Sequence, residues 1–135
     1  MRVEISNGDI LDKMSILEIK LNKFDDGPKR DNVLTELKML MDSSLEDSLY
    51  KWLTSNEYTE LLEVNSALWL IEDKIRMKEA AQEFDKEFIE LARSVYLVND
   101  DRARLKREIN MQSSSLLVEE KQYADYGKVK DATVD

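Results

Sequence analysis

The stretch FIELARSVYLVNDDRARLKREI, residues 88–109, decides the fold. Phe88, Leu91, Val95, Val98, Arg102, Leu105 and Ile109 follow one another at alternating steps of three and four. A helix turns once in about 3.6 residues, so these steps keep one line of side chains on one side of a rod. A strand would need every second residue instead. The spacing therefore predicts a long helix, near 85–112, with Asp85 as its N-cap and Phe84 and Ile89 as a hydrophobic staple.

Upstream, Leu61, Val64, Leu68, Ile71 and Ile75 repeat the pattern and predict a partner helix near 57–82, opened by Thr54 and Glu57 as a capping box. The two are expected to form a central antiparallel hairpin, because the connection is short. Before them, Ser6 and Asp9 read as a capping box for a first helix carrying Ile10, Met14, Leu17, Leu21 and Phe24, with Ile16 and Ile19 on another side. A helix apolar on two sides is either central in a bundle or shared with a second subunit. Gly27 suits the left-handed end of that helix and Pro28 the first turn of the next, which is expected to run to about Asp42. Ser43-Ser44 then interrupts it, and Ser44 caps a short segment with Leu45, Leu49, Trp52 and Leu53. The sequence thus predicts an all-α fold: an antiparallel bundle of about four helices in a single domain, 1–135. A C-terminal arm, about 116–135, is expected to dock in part and fray at its end.

Composition narrows the chemistry. The chain has 135 residues, with neither cysteine nor histidine. Disulfides, thiolate metal sites, zinc-hydrolase motifs and Ser-His or Cys-His catalysis are excluded for it. The net charge of −9 repels nucleic acid and anionic lipid. No apolar run approaches a membrane span, and the start, Met1 to Ile5, does not read as a signal peptide. A cytoplasmic protein with no nucleic-acid or membrane partner is expected.

Four constellations invite a functional reading. The first lies beside the apolar stripes: Leu62, Asn65, Trp69, Glu72 and Arg76 on one helix, and Ala92, Tyr96, Asn99, Ala103, Lys106 and Asn110 on the other, with Arg102 inside the apolar line. As structure, these are flank residues and helix pairs such as Glu72–Arg76, Asp100–Arg104 and Arg104–Glu108. As function, Asn65, Trp69, Glu72, Arg76, Tyr96, Asn99, Arg102 and Lys106 form a binding site or polar network. Arg102 is then paired by Glu72 or Asp12, or left for an anion together with Arg76 and Lys106. The second is acidic, Glu57, Glu60 and Glu63 with Glu87 and Glu90. Its spacing loosely resembles the magnesium carboxylates of all-α nucleotide pyrophosphatases, and a solvated acidic face gives the same pattern. The third, Lys13, Lys20 and Lys23, reads as lysine stems along an apolar surface, with an anion site as the alternative. The fourth, Tyr123 and Tyr126 in the arm, reads as anchors onto the bundle or onto a partner.

Read together, NGDILDK (7–13), LWLIEDKIR (68–76), FIELARSVY (88–96), LKREIN (105–110) and VEEK (118–121) resemble an uncharacterised bacterial family of small helical proteins of unknown function. The resemblance spans most of the chain except about 25–59 and the last few residues. It implies no assigned activity, only an accessory role. The family-like positions include Asn65, Trp69, Glu72, Asp73, Arg76, Arg93, Tyr96, Asn99, Asp100, Arg102, Lys106, Glu119, Lys121 and Tyr123. Many are polar and lie on the two companion stripes, so the resemblance favours a specific polar network there, one that docks the arm. The expected function is a non-enzymatic interaction or accessory module acting as a homodimer. The alternative is a helical hydrolase or binder of a nucleotide or nucleotide-sugar, using magnesium. Otherwise no cofactor is expected.

Overall fold

The computed structural model describes residues 1–127. It holds four α-helices and one 3-10 segment: α1 Asn7–Lys23, α2 Pro28–Glu46, the 3-10 segment Leu49–Thr54, α3 Asn56–Ala80 and α4 Lys86–Gln112. There is no strand among the described residues. The bundle is all-α, as the periodicity predicts, and α3 and α4 lie within one or two residues of the expected spans.

Each start has a local cause. The Ser6 hydroxyl accepts from the Asp9 amide at 3.1 Å and opens α1. Asp85 does the same for α4, accepting from the Phe88 amide at 3.0 Å. Such caps satisfy amides that have no partner inside the helix. The cap of α3 is Ser55, not Thr54: its hydroxyl accepts from the Tyr58 amide at 3.1 Å, while Thr54 donates back to the Lys51 carbonyl. Adjacent hydroxyl residues carry the same capping signal, and the 3-10 segment ends at Thr54. Gly27 stands before α2 with φ of 145°, a conformation that a side chain disfavours, and Pro28 takes the first turn.

Two further expectations differ from the structure. The second helix runs through Ser43-Ser44 to Glu46, because the Ser44 hydroxyl donates to the Met41 carbonyl within the helix at 2.7 Å and so needs no break. Leu49, Trp52 and Leu53 follow as the 3-10 segment. The staple also differs. Phe84 packs edge-on against Phe88, with ring centroids 5.2 Å apart, and Ile89 stays exposed.

The core gathers Leu11 and Met14 of α1, Leu49, Tyr58 and Leu61 ahead of and within α3, and Leu105 and Ile109 of α4. α1 is the centre, packing against α2, α3 and α4. Its two apolar sides are thereby used within one chain: Leu17 and Ile19 are buried as well. The close approach at its start depends on Gly8. A Cβ there would stand 2.5 Å from the Lys106 carbonyl oxygen.

Length decides what α1 can cover. At about 1.5 Å per residue, α3 and α4, of 25 and 27 residues, far outreach α1 with 17. No residue from Trp69 to Arg104 is buried. The outer end of the hairpin reaches past the other helices. No helix among the described residues is long and apolar enough to cross a membrane.

Candidate functional site

Where α1 meets the inner half of the hairpin, three helices contribute to one polar cluster. The Asp12 carboxylate, with a side chain 7% exposed, receives both the Nε and an Nη of Arg102, the first at 2.8 Å. Asn65 adds an Nδ2 donor at 2.9 Å and gives its second hydrogen to the Ser15 hydroxyl at 2.8 Å. Ser15 passes its own proton to the Asp12 carbonyl at 2.7 Å. The hydrogen bonds to Asp12 hold the guanidinium pKa above its ordinary value, against the effect of burial. A two-pronged pairing of this kind adds directional hydrogen bonds that offset part of the cost of burying the two groups. Of the two partners the sequence offers for Arg102, the structure selects Asp12; Glu72 pairs with Arg76 instead, at 3.3 Å.

A second cluster joins the start of α1, the end of α4 and the arm. The Gly8 amide donates to Asn110 Oδ1 at 2.6 Å, Asn7 donates to the Ser113 and Ser115 hydroxyls, and the buried Lys106 ammonium lies 2.7 Å from Asp9 and 2.9 Å from Glu119. Burial alone would lower the Lys106 pKa, but the two carboxylates outweigh it and hold it above the usual value. Asp9 mirrors this: burial opposes its charge, and the Lys106 and Ser6 hydrogen bonds hold it below the usual carboxylate range. The arm then runs back along α4. Glu120 meets Arg107 at 3.0 Å, the Tyr126 hydroxyl donates to Asp100, and the Tyr126 ring lies against Tyr96 at 5.0 Å between centroids. The arm thus docks on its own chain through Tyr126, while Tyr123 stays exposed, its ring 5.8 Å from the Lys121 ammonium. The expected fraying lies beyond residue 127, outside the described residues.

Between α1 and the hairpin opens a groove of about 480 Å³. Ile16, Ile19 and Leu68 supply apolar wall, and Asn65, Trp69, Glu72, Arg76, Asn99 and Arg102 supply the rest together with Asp73. Six of the eight residues singled out by spacing therefore share one groove. Tyr96 and Lys106 do not: both belong to the seat of the arm. Trp69 is braced by Phe24, at 6.3 Å between centroids, and the Lys23 ammonium lies 5.7 Å from its ring. Of the other lysines on α1, Lys13 pairs with Glu36 at 2.9 Å.

The cationic trio does not converge on one ligand position. Arg102 is taken by Asp12 and Lys106 by Asp9 and Glu119, while Arg76 faces Glu72 near the groove rim. The acidic set is also dispersed: Glu87 is tied to Lys78 at 3.1 Å and Glu90 approaches Lys86 at 3.9 Å. Among the described residues no group of three or more acidic side chains is placed to hold a metal ion. No buried side-chain polar atom among them lacks a partner. Sequence reasoning missed Gly8, Ser15 and Asp9 as members of these clusters. The opening NGDILDK segment held two of them, but only a fold could show that it faces α4.

A family model described as a family of unknown function, DUF6165, matches residues 1–130, and so takes in the groove, the hairpin and the docked arm. No curated protein and no solved structure matches the chain.

Proposed function

The chain belongs to the DUF6165 family of unknown function, and on that premise we propose that it is a non-enzymatic interaction module that works as a homo-oligomer, in the cytoplasm. One observation carries this reading. The outer end of the α3–α4 hairpin has an apolar stripe and, among the described residues, no third helix to cover it. Ile71, Ile75, Phe88, Leu91, Val95 and Val98 are only half-buried, and Leu70, Met77, Phe84 and Ile89 are more than half exposed. A helix pair with one apolar side reaches stability by covering that side, and burying apolar surface yields about 25 cal/mol per Å². α1, apolar on two sides, is central within one chain, so the hairpin and not α1 is the reason to expect self-association. The polar groups of the groove are occupied by one another, and the acidic residues do not cluster, so the nucleotide reading has no comparable support. Light scattering on the eluting protein at micromolar concentration tests the proposal. The expected mass is a multiple of the 15.8 kDa chain; the mass of one chain at every concentration would overturn it.

A further inference from the structure

We propose that the arm is exchanged between copies: released at Ser113–Ser115, it seats on α4 of a second copy through the same contacts it makes on its own. This rests on the homo-oligomer reading and names a segment that two copies share.

The seat and its occupant are both in the structure. Glu119 reaches Lys106 at 2.9 Å, Glu120 reaches Arg107 at 3.0 Å, and Tyr126 holds Asp100 and packs on Tyr96. These contacts join side chain to side chain. Among the described residues no backbone hydrogen bond ties 116–127 to the bundle. The seat keeps its form without the arm: Lys106 stays paired with Asp9 at 2.7 Å, and Asn110 keeps the Gly8 amide at 2.6 Å. Arg107 and Glu120 are 50% and 74% exposed, and pairs so exposed hold weakly. The arm can therefore lift as a unit and leave its place intact.

The hinge supplies the reason to change places. α4 ends in a reversal: the Ser115 amide donates back to the Asn110 carbonyl at 2.8 Å, with Ser114 in the left-handed region at φ 53°. That position usually falls to glycine, because a side chain is crowded there. Closed and exchanged arms make the same contacts on the seat, so the hinge decides between them. In the exchanged form α4 continues through Ser114, whose backbone takes the ordinary right-handed conformation, and the helix satisfies the Ser115 amide. The Asn7 amide gives up the Ser115 hydroxyl and is left to water at the open start of α1. Short hinges under strain favour such exchange, and copies already held together meet at an effective concentration on the order of millimolar. The chain from Ser115 to Glu119 spans at most about 14 Å, so the ends of the two α4 helices lie side by side.

The chain has no cysteine, so a cysteine placed in it reports where the arm sits. Arg107→Cys and Glu120→Cys are made in separate chains, mixed in urea, refolded together and treated with a short bismaleimide, with circular dichroism to check the fold. A covalent product of two chains is expected from the mixture and not from either variant alone; equal product from one variant alone would mean mere proximity and overturn the exchange. Ser114→Gly in both chains relieves the closed hinge and should cut the product at least about fivefold. Ser114→Val, β-branched and worse in the left-handed region, should raise it. If the unaltered chain is an oligomer but the mixture gives no two-chain product, while Arg107→Cys/Glu120→Cys links within one chain, the exchange is overturned and the homo-oligomer reading stands. If product forms and neither Ser114 variant changes it, the hinge is not what drives the exchange, and that part of the proposal is overturned. If the unaltered chain has the mass of one copy at every concentration, the homo-oligomer reading fails, and the exchange with it.

Discussion

Arg102 sits in the apolar line of α4 and would be the worst residue to bury there without a partner. Its pairing with Asp12 converts that position into a tie between α4 and α1, and Asn65 extends the tie to α3. The pair is anchored unevenly: the Asp12 side chain is 7% exposed, the Arg102 side chain 29%. Removing the arginine therefore leaves the more deeply buried charge behind. Arg102→Met should cost about 3–5 kcal/mol in urea unfolding, and Asp12→Asn in the same chain should return part of the loss, since a neutral amide needs no counter-charge. A cost below about 1 kcal/mol, the range of exposed pairs, would show that the Asp12 carboxylate reaches water without its partner. Asp12 was legible as a candidate partner because its type and helix were. Ser15 and Gly8 were not, since a small residue gives no signal until a neighbouring backbone arrives against it.

At the scale of elements, periodicity located α3 and α4 almost to the residue, because a three-four alternation carried through five and seven positions has no other regular reading. It failed where a side chain settles a boundary: Ser44 reads as a break but bonds within the helix, and Ser55 caps where Thr54 was expected. Six candidate residues meet in the groove because a companion stripe is rigid with the helix that bears it. Tyr96 and Lys106 depart from it because the path of the arm follows no repeat; it is set by surface pairs met in turn along α4. The arm's outer contact makes a pH prediction. The hydrogen bond to Asp100, with a smaller effect of burial, pushes the Tyr126 phenol up from 10.0 to about 12. A phenol whose folded pKa is raised stabilises the contact fully below its unfolded value of about 10. The contribution is lost as pH rises through about 12. Ultraviolet titration should show two late-ionising tyrosines, Tyr126 and the buried Tyr58, whose burial and hydrogen bond to Glu18 push its phenol up further still; the earlier of the two should disappear in Tyr126→Phe, with the arm becoming open to protease over the same pH range. Ionisation of all the exposed tyrosines together near 10 would mean that Tyr126 does not hold Asp100.

The whole molecule combines a negative field with a hairpin that extends beyond its cover, and the two make opposite demands on association. Nine excess negative charges on each copy, at a separation of about 30 Å in water, repel with a total on the order of 10 kcal/mol before screening. With a screening length of about 8 Å at physiological salt, most of that vanishes. Against it stands the apolar surface that the hairpin leaves exposed, whose burial salt hardly touches. The repulsive term is much the larger at low salt. The dimer should therefore tighten as salt is added, with the dissociation constant falling at least about tenfold between roughly 0.01 M and 0.15 M. Sedimentation across that series decides the matter. A constant that rises with salt would mean that charged contacts drive assembly, and the exposed apolar surface of the hairpin would lose its place as the reason two copies meet.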